Sequence, residues 1–177
     1  MKTSIYICIF YIVFLSCNSP IAVLNNGTKV QVMDSLIRKS EVLKNCKSIL
    51  IEKNPIKKEN SFLKLFISDD YFSVDSIIDI SSIRSIISNI NYSAPQTIID
   101  KDFYEAMSND ILLIQKLQKD KSVYIALSNI YYNKKNNSYL MVLSTICGKR
   151  CGEIILGEFK IDKYGKLKKI YFNIAYS

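Results

Sequence analysis

The chain predicts an α+β fold: N-terminal helices packed on a C-terminal four-stranded antiparallel β-meander. Three observations lead there. Apolar residues recur at helical spacing through residues 33–119. After Asp120 the pattern turns to runs rich in Val, Ile, Leu and Tyr, the composition of strands. Three short connections join those runs, as antiparallel neighbours require. Helices first and strands last is the α+β order.

The elements follow in chain order. From Met33, the apolar positions 33, 36, 37, 43, 46 and 50 predict a first helix, capped by Asp34 or Ser35 and stopped at Asn54-Pro55. Phe62-Leu63-Lys64-Leu65-Phe66-Ile67 is an apolar run that suits either a strand or a buried helical turn. Ile80, Ile83, Ile87 and Ile90 predict a second helix, capped by Asp75 or Ser76 and broken by Ala94-Pro95. A third runs from Lys101 to Lys119, with Phe103, Met107, Ile111, Ile114 and Leu117 on one face. Strands are expected at 123–132, 138–146, 153–161 and 166–175. They are linked by Asn133-Lys134-Lys135-Asn136-Asn137, by Cys147-Gly148-Lys149-Arg150-Cys151-Gly152, and by the turn Asp162-Lys163-Tyr164-Gly165. The helical part is thus 33–119 and the meander 122–176, in one domain of 33–177.

Composition narrows the chemistry. The chain has 177 residues and no His, so His-based zinc sites, Ser-His-Asp triads and His general bases are excluded. There are 5 Gly and no Gly-rich phosphate loop. No catalytic residue, metal site or cofactor is expected. The net charge is +8, but 21 of the 24 basic residues are Lys, and Ile and Asn are abundant, as in an AT-rich genome. That bias accounts for much of the positive charge, and nucleic acid is not an expected partner.

The N-terminus reads as an address. One lysine, Lys2, precedes an uninterrupted apolar run at 5–15. As a helix that run spans roughly 16 Å, half a bilayer core, which is the size of a signal-peptide core and too short to cross. Phe14-Leu15-Ser16-Cys17 then resembles the lipobox of bacterial lipoproteins, with Phe14 where Leu is commonest. The resemblance implies a signal peptide of 1–16, cleavage after Ser16, acylation of Cys17 and a tether of 17–32. A plain secretory peptide and an uncut anchor are the alternatives.

Removal of Cys8 with the signal peptide and of Cys17 by lipid leaves Cys46, Cys147 and Cys151. Outside the cytoplasm disulfides persist. Cys147 and Cys151 flank a three-residue loop and can approach bonding distance if the chain turns, with Gly148 and Gly152 free to take positive φ. A bridge from Cys46 to either partner is the alternative. Redox catalysis would depart from the thioredoxin pattern, which has two residues between the cysteines at a helix N-terminus.

The C-terminal third resembles a group of small bacterial lipoproteins and secreted proteins that share a Cys-Gly-x-x-Cys-Gly turn between strands. The matching segments are Leu127-Ser128, Tyr139-Leu140-Met141-Val142, residues 147–152 and Gly165-Lys166-Leu167-Lys168-Lys169-Ile170, with Leu167 where the group often has Trp. The resemblance implies fold and address and carries no activity.

Charge is segregated: net +5 over 17–65, −5 over 66–120 and +7 over 121–177. Tyr131, Tyr132, Lys134, Lys135, Lys149 and Arg150 are candidates for a basic, aromatic binding surface on the sheet. Solvation of loop tips and cross-strand packing of Tyr124, Tyr131, Tyr132 and Tyr139 are the simpler uses. Asp69, Asp70, Asp75 and Asp79 are expected to solvate and cap, lacking the Gly and final Glu of a calcium loop. The functional expectation is a lipid-anchored protein of the cell envelope, on the outer membrane of a Gram-negative bacterium. It would be a non-catalytic binding module for an envelope protein or an anionic envelope component. An enzyme of hydrolase or thiol-redox type is the alternative.

Overall fold

Asn25 starts the first element that the computed structural model describes; the described residues are 24–57, 63–75, 79–99 and 111–176. Its side chain accepts a hydrogen bond from the Thr28 amide at 2.7 Å, capping α1 (Asn26–Lys39). Arg38 and Lys39 fill the last turn, where the helix dipole favours cations. The helix therefore begins well before Met33, inside the expected tether, and ends at Ser40 instead of Asn54. A 3₁₀ turn (Val42–Asn45) follows, then β1 (Ser48–Glu52). Leu43, Cys46 and Leu50 share helical spacing, yet they belong to separate elements. The β-branched Ile49 and Ile51 are both buried in the sheet and take the last stretch out of the helix.

The run around Leu63 is a helical turn (Leu63–Leu65). β2 (Tyr71–Asp75) precedes α2 (Ile80–Ile90). The cap of α2 is Asp79, whose carboxylate accepts from the Ser81 amide at 2.9 Å; Asp75 instead closes β2, and Ser76 lies outside the described residues. β3 (Gln96–Ile99) comes next. The described part of the third expected helix is α3 (Ile111–Asp120); residues 101–110 lie outside.

The strand expected at 123–132 is two strands, β4 (Ser122–Leu127) and β5 (Ile130–Asn133), both antiparallel to β6 (Ser138–Gly148). Leu127 faces Leu143 while Tyr131 faces Leu140, so one extra residue is accommodated between them. Ser128 repairs the ladder: its amide donates to the Val142 carbonyl, and its Oγ accepts from the Val142 amide, each at 2.9 Å. β7 (Cys151–Ile161) pairs with the other edge of β6, and β8 (Leu167–Tyr176) pairs with β7. Gly165 takes a φ of 74° in the turn between them, a conformation that suits glycine.

The α+β class holds, but the sheet is not the four-stranded antiparallel meander expected. It is a curled, mixed sheet of eight strands among the described residues. β1 runs parallel to β4, β3 runs parallel to β1, and β2 pairs antiparallel with β5. Parallel neighbours are joined by long crossovers, which leave no hairpin signature in the chain.

One face of this sheet is covered by α1 and α2. α1 lies along β7. Thr28 Oγ1 donates to the Gly165 carbonyl at 2.7 Å at one end, and Ser40 meets Glu153 at the other. Midway, Leu36 packs over Gly157, where an added Cβ would come within 3.0 Å of Leu36 Cδ2. Ile37, Ile83, Ile155 and Phe159 complete this core, each buried side chain contributing about 1.5–3 kcal/mol. The opposite face carries a smaller core of Leu63, Leu117, Tyr124, Tyr131 and Val142 beneath α3. The result is a three-layer arrangement.

Candidate functional site

β6 has two ends, and both carry basic turns. Lys134 and Lys135 stand exposed in the turn before it; Lys149 and Arg150 stand exposed in the turn after it. Those ends are about 33 Å apart along the strand. Tyr131 is only 1% exposed and points into the smaller core, whereas Tyr132 packs on the opposite face against Tyr139, ring centroids 4.9 Å apart. The six residues proposed for one basic, aromatic surface are therefore not one surface. Tyr139 in turn stacks on Phe159 at 5.4 Å, so these aromatics serve cross-strand packing. Cys17 lies outside the described residues.

The second turn has something behind it. Cys147 and Cys151 lie at disulfide distance with Cα atoms 5.1 Å apart. The turn forms without positive φ at Gly148 or Gly152, contrary to expectation; Gly165 is the glycine with positive φ among the described residues. Gly148 instead provides room, since a Cβ there would sit 3.3 Å from the Gln118 side chain. The end of α3 can thus close against the hairpin.

A cavity of about 440 Å³ opens at this end of the sheet. Glu41, Val42, Asn45 and Cys46 form one wall, Gln118, Lys121 and Val123 another, and the Cys147–Cys151 pair the third. Two devices assemble it. The Glu153 carboxylate, 2% exposed, accepts from Ser40 Oγ at 2.5 Å and from the Glu41 amide at 3.1 Å. Ser40 Oγ also accepts from the Leu43 amide at 3.3 Å. A buried carboxylate thus fixes the 3₁₀ turn that carries the first wall. Second, Lys121 takes a φ of 51° just after α3, the left-handed position that ends many helices, and its carbonyl accepts from the Lys47 amide at 2.8 Å.

The chemistry of the walls is mixed. Glu41 is already paired with Lys44 at 2.6 Å, whereas Lys121 contributes a cation beside the disulfide turn. Cys46 is a buried free thiol that donates to the Leu43 carbonyl at 3.4 Å; burial pushes its pKa up, so it stays protonated at neutral pH. A neighbouring groove of about 430 Å³ runs between α1 and β8. Its cations are engaged: Arg38 with Asp34 at 2.8 Å, Lys44 with Glu41, and Lys39 over the Phe172 ring at 5.2 Å.

Glu41, Asn45, Gln118, Lys121 and Glu153 were not singled out by the sequence reading. Only Glu153 left a trace, as a carboxylate on the same strand face as Ile155 and Phe159. A second buried carboxylate, Glu52, accepts from Tyr124 Oη and from the Asn54 amide on the far face. No helix of the described residues is long and apolar enough to cross a membrane, and no group of potential metal ligands occurs among them. Comparison with family models, curated proteins and solved structures finds no match.

Proposed function

We propose that the chain is a lipid-anchored envelope protein, acylated at Cys17, that binds an anionic envelope component at the disulfide end of β6 without catalysing a reaction. The observation that carries this reading is the Cys147–Cys151 pair at disulfide distance lining a cavity that also has Lys121 on its wall. Such a pair stays oxidised outside the reducing cytoplasm, where the apolar run at 5–15 and the Ser16-Cys17 junction would send the chain. Lys121 on the wall, with Lys149 and Arg150 on the turn between the cysteines, supplies positive charge to one place.

A photocrosslinker placed at Lys149, in cells growing normally, tests the binding half. It should capture an anionic lipid, glycolipid or acidic protein, whereas the same group at Lys134 should capture far less. Equal capture at both positions would sink the proposal.

Thiol–disulfide exchange is a second reading, because Cys46 lines the same cavity as Cys147 and Cys151. A protonated, buried thiol is a poor nucleophile, which favours binding. Rapid alkylation of Cys46 in the native protein at neutral pH would reverse that preference.

A further inference from the structure

β8 is an open edge. Its ten residues, about 34 Å of chain, pair with β7 on one side, and no strand pairs its outer side among the described residues. Such an edge is a template for another strand, and proteins shorten, charge or cover it. Elsewhere this sheet does so by length: β3 has four residues and β2 has five. On β8, Lys168 and Lys169 guard only the beginning. The remaining seven residues, Ile170-Tyr171-Phe172-Asn173-Ile174-Ala175-Tyr176, contain no charge, Pro or Gly. They alternate half-buried Ile170, Phe172 and Ile174 with exposed Tyr171 and Asn173, and Tyr176 is 72% exposed.

We propose that this edge is covered by β8 of a second copy, antiparallel about a two-fold axis through Phe172, making one continuous sheet across the pair. The distribution of charge selects that occupant. In this register Lys168 lies across from Tyr176 of the partner copy, Lys169 across from Ala175, Ile170 across from Ile174, and Tyr171 across from Asn173. The basic ends of the two strands are then about 27 Å apart, several Debye lengths at physiological salt. A parallel in-register pair would set lysine against lysine, which is destabilising. Lys169 already sits 4.4 Å from the Tyr171 ring centroid within one chain, and Lys168 beside the partner copy's Tyr176 would repeat that contact between chains. The interface is isologous and closes at two copies, as a two-fold requires. It does not depend on the acylation of Cys17 or on a ligand in the cavity.

Sedimentation of the full chain in detergent tests the proposal. The wild type should sediment as a dimer. Tyr171→Lys with Asn173→Lys sets lysines against lysines across the axis and should give monomers. Tyr171→Glu with Asn173→Glu should do the same. Both side chains are exposed, so each variant should keep its circular dichroism spectrum and melting temperature within a few degrees. An equimolar mixture of the two variants should recover the dimer. A wild type that is monomeric at every concentration, variants that remain dimers, or a mixture that stays monomeric would each overturn it.

Discussion

The two ends of β6 look alike in sequence and are built differently. At the end shared with the β7–β8 turn, side-chain oxygens hold the chain. Asn133 Oδ1 accepts from the amides of Lys135 and Asn136 at 2.9 and 3.2 Å. Asp162 Oδ1 accepts from those of Tyr164 and Lys166 at 2.8 and 3.0 Å. These are Asx turns, local and self-sufficient. At the other end the turn carries a cysteine pair, the end of α3 packs against it, and Glu153 pulls a third element into place. Both ends present two basic residues, but one pair tops an ordinary turn and the other stands on a turn whose flanking cysteines line a cavity. Two cations on a loop therefore do not distinguish the ends; what distinguishes them is the convergence of distant elements behind the second pair.

The largest expected effect comes from undoing that convergence. Glu153→Ala leaves the Ser40 hydroxyl and Glu41 amide without their acceptor, at a cost of about 3 kcal/mol. The melting temperature should fall by about 10 °C. A fall of only a degree would show that the carboxylate does not hold the 3₁₀ turn. Next, Cys147→Ser with Cys151→Ser should cost about 2 kcal/mol by loop entropy, or about 5 °C by differential scanning calorimetry. At the opposite end, Asn133→Ala should cost about 1 kcal/mol, close to 3 °C, because only one side chain's hydrogen bonds are lost. If Asn133→Ala proved the more damaging of these two, the contrast between the ends would be inverted.

The smallest effect distinguishes the ends by pH. Hydrogen bonds from the Lys166 and Tyr164 amides hold the Asp162 carboxyl below its ordinary value. A depressed carboxylate contributes stability above the unfolded pKa of about 4 and loses it as the pH falls through the lower folded value. The Tyr164 and Lys166 amide resonances should therefore shift together below pH 4, while those of Lys149 and Arg150 stay unmoved. Asp162→Asn should abolish the titration and keep the turn.

The same contrast explains what the sequence discloses. Local devices were legible: the hairpin linkers, the cysteine pair, and the helical stripe of Ile83 and Ile87. So was the α+β order. β1, β2 and β3 were not, being four or five residues long with partners that lie far along the chain. Asn25-Asn26-Gly27 suits a turn as well as a helix start, and only the packing of α1 on β7 decides between them. The site divides in the same way. Cys147, Cys151, Lys149 and Arg150 share one turn and were visible. Glu41, Gln118 and Lys121 become neighbours only because β1 pairs with β4 and the Lys47 amide reaches the Lys121 carbonyl.

The proposed role requires the chain to leave the cytoplasm, keep its anchor and close the turn at one end of β6. Mass-spectrometric mapping of the protein isolated from its native envelope, alkylated before any reduction, addresses all three together. The expected result is an N-terminal peptide that begins at acylated Cys17, a linked Cys147–Cys151 peptide, and a Cys46 that alkylates only after unfolding. An unmodified Cys17 within an intact N-terminus, or Cys147 and Cys151 both alkylated, would contradict it.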